Sequence, residues 1–342
     1  MDFVTKTIYF FKYILLRPKR LKNLFLVKFS KLIKSPLVRG MPLTLMLEPT
    51  NYCNLNCPLC PTGTGLLKRK KENLSFLKFK KIIDELGPEI IHLRLWNWGE
   101  PLLNPEFYKM VEYAKKFKIF VNTSTNSFFL TKENAKKIVD SGLDELIVSL
   151  DGASEKTYRK YRKAGSFAKV IGAIKTLVEE KEKQETNLPR IKLQFIIMRH
   201  NEHEIKKILK IAKDLGVDEL FFKTVGVMDI NVKEDIKKYL PLNAEYSRYL
   251  ESGELKMQRN MCDYLWSEAT INVDGSVVPC CRDAQNKYVL GNIFKQKFRE
   301  IWNNKKYIEF RKQVLNNKNK ILLCKGCSGT KKELKIAEIK FK

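Results

Sequence analysis

The eight cysteines of the chain fall into two groups with none between residues 61 and 261. The first group, Cys53, Cys57 and Cys60, lies on one short loop. Three thiolates from one loop can bind three irons of a four-iron cluster and leave the fourth iron open, as a catalytic metal centre requires. A secreted disulfide scaffold would be shorter and would spread its cysteines. The pattern therefore predicts two thiolate-ligated inorganic sites in a reducing compartment.

The second group supplies four thiolates for a second site and leaves one thiol over. Its members are Cys262, Cys280, Cys281, Cys324 and Cys327. A structural zinc ion is the alternative for this second group. Zinc is disfavoured at the first group, because a zinc site more often uses two Cys-x-x-Cys pairs. With only three histidines in the chain, imidazole-rich metal sites and Ser-His-Asp chemistry are disfavoured.

The elements that position the first group alternate between strand and helix. The patterns predict strands at 43–47, 90–96, 119–124, 145–150, 191–198 and 219–224. They predict helices near 75–86, 105–117, 131–141, 166–184 and 202–215. Six such units require a parallel sheet wrapped by helices. Because six is fewer than a closed eight-fold barrel needs, we expect an α/β fold with a partial (β/α)6 TIM-like barrel, whose chemistry follows the carboxyl ends of its strands.

The pattern changes after residue 230. A polar helical stretch at 231–255 precedes a predicted hairpin, 269–273 and 276–280, around the turn Asp274-Gly275. A helix at 295–316 and a basic tail follow. We therefore predict three parts: a basic amphipathic segment at 1–40, the partial barrel at 41–230, and a small cysteine-bearing domain at 231–342.

The loop Cys53-x3-Cys57-x2-Cys60 after the first strand resembles the hallmark of the radical SAM superfamily. Trp98-Gly99-Glu100-Pro101, after the second strand, resembles that family's GGEP motif, which binds the amino group of S-adenosylmethionine (SAM). Trp98 departs from the motif's first glycine, and Leu59 replaces an aromatic residue that usually precedes the last cysteine. The resemblance implies a SAM-binding 4Fe–4S cluster on the three cysteines, with Gly99 and Glu100 binding SAM.

Polar residues at the ends of later strands resemble the family's SAM-binding ridges. They are Ser124 and Asn126 after the third strand, and Ser149 and Asp151 after the fourth. Gln194, Arg199, Asn201 and Lys223 are either further SAM or substrate ligands or solvated rim residues. His200 and His203 are weak candidates for general bases. No catalytic side chain is assigned.

The second cysteine group resembles the SPASM motif of radical SAM enzymes that carry extra iron–sulfur clusters. Cys262, twelve residues, Gly275, four residues and Cys280 match its opening, and Cys324-x2-Cys327 matches its next element. The remaining cysteines of the full motif are missing, as in the shortened Twitch form. The resemblance implies a small C-terminal SPASM/Twitch-like iron–sulfur domain with one auxiliary 4Fe–4S cluster on Cys262, Cys280, Cys324 and Cys327, with Cys281 as the alternative to Cys280.

The resemblance implies an oxidoreductase that cleaves SAM reductively to a 5′-deoxyadenosyl radical and abstracts hydrogen from a substrate C–H bond. The auxiliary cluster would accept an electron, so that the substrate is oxidised or gains a bond. A ferredoxin or flavodoxin is the expected electron donor. We expect a membrane lipid or lipid-linked glycan as substrate; the alternatives are a soluble sugar or cyclitol dehydrogenase and a peptide-modifying maturase.

The chain is strongly basic, with a net charge of +27, and residues 1–40 contain ten basic residues against Asp2 alone. In a helix over 19–34, an apolar arc opposes a basic one, as in helices that lie on anionic membranes. The apolar arc is Leu21, Phe25, Phe29, Leu32 and Ile33, and the basic arc is Arg20, Lys31 and Lys34. The alternative is a helix packed on the protein itself.

No apolar run approaches the ~20 residues of a spanning helix. We therefore expect a cytoplasmic protein, peripheral on the inner face of the membrane. A hypothesis of a different class, a basic zinc protein that binds RNA, follows from the same charge, but the cysteine spacing disfavours nucleic acid as a partner.

Overall fold

Six parallel strands form the centre of the sheet. The computed structural model describes residues 11–226, 237–330 and 335–341. The six strands are β1 (Thr44–Leu47), β2 (His92–Arg94), β3 (Phe120–Thr125), β4 (Glu145–Ser149), β5 (Arg190–Ile197) and β6 (Glu219–Thr224). Each pairs in parallel with the next one along the chain. The predicted order and direction of the strands are confirmed, although β2 is shorter than the predicted 90–96.

Helices connect the strands and flank the sheet. They are α1 (Pro18–Leu32), α2 (Phe76–Leu86), α3 (Phe107–Lys116), α4 (Lys132–Asp140), α5 (Glu155–Tyr161), α6 (Phe167–Lys183), α7 (Ile205–Asp214), α8 (Phe298–Trp302) and α9 (Lys305–Asn317). Four of them begin where a hydroxyl accepts a hydrogen bond from the backbone N–H three residues later, at Ser75, Thr131, Ser154 and Ser166. Such caps satisfy N–H groups that have no partner in the first helical turn. The short helix α5 was not predicted.

The two faces of the sheet differ in chemistry because side chains alternate along each strand. On β4, Leu146 and Val148 are fully buried in the core, whereas Glu145 lies on the opposite, inner face. Lys192 on β5 bridges Glu145 to Glu219 on β6, at 2.9 and 3.0 Å. The inner face at this level is thus lined with paired charges.

The segment after residue 230 adds strands to both edges of this sheet. These are β7 (Glu268–Ile271), β8 (Ser276–Val278), β9 (Gly291–Asn292) and β10 (Lys335–Lys340). Strand β7 runs parallel to β1 and forms the predicted hairpin with β8, where Gly275 has a φ of 82°. Strand β10 pairs antiparallel with β6. The order is β10-β6-β5-β4-β3-β2-β1-β7-β8-β9, an open sheet as expected of a partial barrel, and it continues across residue 230.

Three predictions for the C-terminal segment differ from the structure. The predicted helix 295–316 is two helices, because the side chain of Asn304 accepts the backbone N–H of Tyr307 and starts α9 anew. Of the predicted helical stretch 231–255, residues 231–236 lie outside the described residues, and from 238 to 255 helical structure is confined to the 3-10 turn Ala244–Tyr246. The basic tail contains strand β10.

Helix α1 confirms the predicted amphipathic helix, but it packs on the barrel through its polar side. Arg20 is 1% exposed and donates to the carbonyl oxygens of Gly87, Phe117 and Lys118 at 3.0, 2.7 and 2.7 Å. These carbonyls lie where α2 and α3 end, positions that favour a cation. The prediction that Arg20 faces lipid headgroups is therefore wrong. Residues 1–10 of the predicted segment lie outside the described residues.

Within the described ranges, no helix has both the length and the apolar character that crossing a bilayer requires.

Candidate active site

The cysteine loop follows β1 directly and is held by tight backbone contacts. The N–H of Cys60 donates to the carbonyl oxygen of Cys57 at 3.1 Å. A Cβ on Gly63 would lie 2.5 Å from the backbone nitrogen of Cys57, so only glycine allows the chain to fold back here. Cys53, Cys57 and Cys60 belong to one small apolar cluster with Leu55 and Met198. The loop therefore brings the three predicted cysteines together.

The electrostatic environment of the thiols in the cysteine loop suits an iron–sulfur cluster. The pKa of the Cys53 thiol is raised to about 12, mainly by burial and also by Glu100 and the two other cysteines. Burial likewise raises the pKa of Cys57. Buried thiolates this close need a cation to share their charge, as an iron–sulfur cluster does. In the described parts of the chain no three His, Cys, Asp or Glu side chains converge on one ion, whereas thiolates of a cluster bind different irons.

The Trp98-Gly99-Glu100 loop lies directly against the cysteine loop. A Cβ on Gly99 would lie 2.1 Å from the carbonyl oxygen of Thr50, so a glycine is required for this approach. The N–H of Glu100 donates to the carbonyl oxygen of Tyr52 at 2.7 Å. The predicted site residues Gly99 and Glu100 therefore contact Thr50 and Tyr52, which come just before Cys53 in the chain.

Glu100 is 3% exposed, and its carboxylate joins the loop to the end of β3. It accepts hydrogen bonds from the N–H of Asn126 at 2.8 Å and the hydroxyl of Thr125 at 2.6 Å. Burial raises the pKa of Glu100. Asn126 in turn donates to the side chain of Asn54 in the cysteine loop at 2.9 Å. The structure therefore brings Glu100 and Asn126 close to the cysteine loop. Ser124 lies two residues before Asn126, on the inner face of β3.

Asp151 holds an arginine that the sequence analysis missed. Its carboxylate accepts from Arg162 at 2.6 Å (Nε) and 2.5 Å (Nη2), and from the N–H of Ile196 at 2.7 Å. The Nη1 atom of Arg162 lies 3.9 Å from the Sγ atom of Cys57. Asp151 is fully buried. The Asp151–Arg162 pair thus places a cation beside a cysteine of the loop. Arg162 directly follows the unpredicted helix α5, which ends at Tyr161.

The cysteines of the second group also meet. Burial raises the pKa of Cys262, Cys280 and Cys324, the last to about 12, and the charge of each of these thiols acts on another member of the group. Lys318, 1% exposed, lowers the pKa of Cys262 and Cys324 and donates to the carbonyl oxygen of Cys327. Buried thiols beside a cation are the donor set that a fully ligated cluster needs.

Cys280 and Cys281 have different surroundings. The charge of the Cys280 thiol interacts with Cys281, Cys262 and Cys324. The thiol of Cys281 interacts first with Glu268 and Arg94, an ion pair of 2.8 Å on the inner face of the sheet, and then with Arg282 and Cys327. Cys280 as the ligand stays a prediction.

Trp98, the departure from the GGEP motif, connects the two cysteine groups. Its indole N–H donates to the carbonyl oxygen of Cys281 at 3.0 Å. Its own carbonyl oxygen accepts the hydroxyl of Thr62, just after the first cysteine loop, at 2.5 Å. Its N–H donates to Glu48, which is fully buried and paired with Arg69 at 2.7 Å. Trp98 therefore contacts residues that lie next to each of the two predicted cluster sites in the chain.

The remaining residues that the sequence suggested as ligands or bases differ in where they lie. Gln194 donates to Ser149 at 3.5 Å and accepts from Lys223 at 3.0 Å, and these three residues lie at the mouth of the barrel. Asn201 is fully buried and donates to backbone carbonyls of Asp151 and Ile196, so it supports the loops.

Arg199 donates to the carbonyl oxygen of Leu240, on a neighbouring loop. His200 and His203 lie in the turn before α7. In the described part of the chain no hydrogen bond joins either histidine to a cysteine.

Known proteins share this fold and these motifs. A sequence profile of the radical SAM superfamily matches residues 47–186, and a profile of the SPASM iron–sulfur cluster-binding domain matches residues 262–328. The tungsten-containing aldehyde ferredoxin oxidoreductase cofactor-modifying protein of Pyrococcus furiosus is 28% identical over 78% of this chain and 82% of its own. The mycofactocin maturase MftC of Mycobacterium ulcerans is 30% identical over 51% of this chain and 45% of its own, so this chain spans less than half of that relative.

Two solved structures show the same fold. Streptococcus suis SuiB bound to S-adenosylmethionine has a TM-score of 0.62 at 14% identity, covering 88% of this chain and 75% of SuiB. BtrN in complex with AdoMet and 2-DOIA has a TM-score of 0.55 at 20% identity, covering 86% of this chain and 99% of BtrN. The two domains imply a 4Fe–4S cluster, an auxiliary cluster and SAM as cofactors. The chain belongs to the radical SAM superfamily, in the branch that carries a SPASM iron–sulfur domain.

Proposed function

We propose that this radical SAM enzyme removes a hydrogen atom from a C–H bond of a peptide or a cofactor precursor and oxidises it or forms a new bond. The observation that carries the proposal is that Trp98 bonds both Thr62, just after the three-cysteine loop, and Cys281 of the second cysteine group. The relatives support the substrate class, since their names include a cofactor-modifying protein, a mycofactocin maturase and a PqqA peptide cyclase. They give no support to a lipid or lipid-linked glycan.

We assign the following binding roles to the residues of the chain. Cys53, Cys57 and Cys60 would hold a four-iron cluster, which when bound supplies the electron that cleaves SAM to methionine and a 5′-deoxyadenosyl radical. Gly99 lets the backbone approach closely, and Glu100 offers the carboxylate that suits the ammonium group of SAM. Asn126, Ser124, Ser149 and Asp151 border the same mouth and would bind or shape the site for the remainder of SAM.

Cys262, Cys280, Cys324 and Cys327 would hold the auxiliary cluster. Four thiolates leave no iron open for substrate, so the role that suits this site is to take up the electron left on the substrate. That role makes the net reaction an oxidation by two electrons, with a ferredoxin or flavodoxin as the external donor. Lys318 and Arg282 lie beside these thiols and would offset their negative charge.

Iron and zinc counting after anaerobic reconstitution tests the cofactor content, and Cys324→Ala tests the ligand set. We expect about eight irons per wild-type chain, about four in Cys324→Ala, and SAM cleavage in both, because only the auxiliary site is lost. Cys281→Ala is the matched control and should keep about eight irons. Two zincs per chain and no 5′-deoxyadenosine after reduction would instead support the RNA-binding hypothesis.

Lys223 narrows the substrate class further. Lower on the same face of the sheet, Lys192 is balanced by two carboxylates, whereas among the described residues the side chain of Lys223 has only the neutral Gln194 as a hydrogen-bond partner. Burial lowers the pKa of Lys223, and its charge interacts with Asp151 and Cys281 and, in the opposite sense, with Arg162 and Arg248. An ammonium group whose hydrogen-bond partner is neutral favours an anionic group on the substrate, such as a carboxylate or a phosphate.

Replacing Lys223 by methionine should therefore remove the response to anionic substrates. Cell-extract fractions retained on an anion exchanger are expected to stimulate 5′-deoxyadenosine formation by the wild type and to stimulate Lys223→Met at least ten-fold less. The basal rate without extract should be equal in both. Equal stimulation of both proteins, or stimulation by the unretained fraction alone, would exclude this role of Lys223.

A further inference from the structure

Helix α1 contacts the protein with the side that an ordinary amphipathic helix turns to water. Asn23, Val27 and Ser30 are at most 5% exposed and face the barrel. Asn23 donates to the carbonyl oxygen of Met41 at 3.0 Å and accepts the N–H of the same residue at 2.7 Å. Leu21 of the apolar arc is half-buried in a cluster with Tyr13 and Ile91, whereas the rest of the arc is left outside.

The exposed apolar side chains on α1 and in the residues next to its two ends are what we call the outer face of α1. Phe25 is 65% exposed and Leu32 is 80% exposed. The outer face consists of Leu16, Phe25, Phe29, Leu32, Ile33 and Leu37. With Leu15, these are seven of the fourteen large apolar side chains that are exposed in the described residues, so they are clustered rather than scattered.

The charges around the outer face have one sign. No acidic residue occurs between Asp2 and Glu48. Arg20 and Lys31 are used inside the protein, the latter in a 3.1 Å contact with Asp263. The exposed basic residues of this region are Lys19, Lys22, Lys28, Lys34 and Arg39. Apolar side chains interspersed along the segment with basic and no acidic residues match the surface of a bilayer that contains anionic lipids.

Other occupants match these features less well. A second copy of the chain would bring two segments of the same positive charge together, which is unfavourable. A nucleic acid would use the cations but leave the phenylalanine and leucine side chains in water.

We propose that the outer face of α1 binds peripherally to an anionic lipid bilayer. Arg20 attaches α1 to the ends of α2 and α3, just before β2 and β3 begin, whereas the cysteine loop follows the carboxyl end of β1. The bilayer therefore meets the edge of the sheet opposite the candidate active site. Membrane attachment then localises the enzyme and does not require a lipid substrate.

Flotation of the full-length, reconstituted protein with vesicles tests the proposal. We expect the wild type to float with vesicles of phosphatidylcholine and phosphatidylglycerol (7:3 by mole) and to remain below with pure phosphatidylcholine. Binding should weaken as salt is raised. Lys22→Gln should lower the partition coefficient about five-fold, the value of one basic residue near an anionic surface.

A double variant and a matched control distinguish vesicle binding through the outer face from nonspecific hydrophobic binding. Phe25→Ser/Leu32→Ser should lower vesicle binding at least ten-fold without changing the melting temperature, since both side chains are already exposed. Leu77→Ser/Leu322→Ser replaces apolar side chains that are 70% and 63% exposed elsewhere, and it should bind as the wild type does.

Three results would overturn the proposal. They are failure of the wild type to float, unchanged flotation of Phe25→Ser/Leu32→Ser, and a wild-type dimer without vesicle binding that this double variant converts to a monomer. The last would identify the outer face as a contact between two copies of the chain.

Discussion

Cys57→Ala is expected to lose SAM cleavage entirely and about half of the bound iron, since the variant would keep only the auxiliary cluster. Cys57 is the most buried of the three cysteines in the loop, and Arg162 lies beside its sulfur atom. No other cysteine belongs to this loop, so no thiolate can replace it. Formation of 5′-deoxyadenosine after reduction, and the electron paramagnetic resonance spectrum of the reduced protein, measure the effect.

The comparison with Cys324→Ala makes this prediction specific. Each variant should lose about four irons, but only Cys57→Ala should lose 5′-deoxyadenosine formation. Persistence of SAM cleavage in Cys57→Ala would show that the loop does not hold the cluster that reacts with SAM. An identical loss of cleavage in both variants would mean that the two sites cannot be loaded separately.

Asp151→Asn is expected to destabilise the protein and to disturb the cluster site. The carboxylate is fully buried, and it pairs with Arg162, whose side chain is 14% exposed. Removing one partner of a buried ion pair leaves an uncompensated charge and typically costs about 3–5 kcal/mol of unfolding free energy. Thermal or denaturant unfolding of the reconstituted protein measures this loss.

A second readout distinguishes a positioning role of this pair from a purely structural one. A carboxylate near a cluster disfavours its reduced, more negative state, so removing the charge of Asp151 while Arg162 stays beside Cys57 should make the reduction potential of that cluster less negative. We expect SAM cleavage to fall about 10–100-fold, as is typical when a group that supports a metal ligand is removed.

The control for Asp151→Asn is Asp140→Asn. Asp140 is 42% exposed and pairs with Lys136 along one helix, so its loss should cost about 0–1 kcal/mol of unfolding free energy. An unchanged potential in Asp151→Asn, with activity falling only as the folded fraction falls, would reduce the pair to a structural contact.

Most of the fold was predictable because strand and helix patterns are local. Hydrophobic alternation around Leu146 and Val148, and hydroxyl caps such as Thr131, act over a few residues of chain. The errors occurred where a tertiary contact overrides the pattern. The helical pattern puts Arg20 on a basic arc facing a membrane, but in the folded protein the carbonyls at the ends of α2 and α3 accept its hydrogen bonds. No strand was predicted in the basic tail, where β10 forms against the edge that β6 offers.

The candidate site shows the same division. Gly99, Glu100 and Asn126 lie beside the cysteine loop because parallel strands bring their carboxyl ends to one edge, whereas their binding of SAM stays a prediction. The contact of Trp98 with Cys281 joins residues 183 positions apart, and that of Arg162 with Cys57 joins residues 105 positions apart. No spacing rule reaches so far along the chain.

The sequence by itself determined the chemistry of this protein, because cysteine spacing defines how many thiolates one loop can present and whether an iron remains open. It also determined the parallel sheet, because hydrophobic periodicity is a local property. Only the tertiary structure decided that Trp98 bridges the two cysteine groups, that Cys280 and Cys281 face different surroundings, and that α1 turns its apolar side outward. These features depend on which surfaces meet after the chain has folded, and hydrogen bonds and burial across the sheet select them.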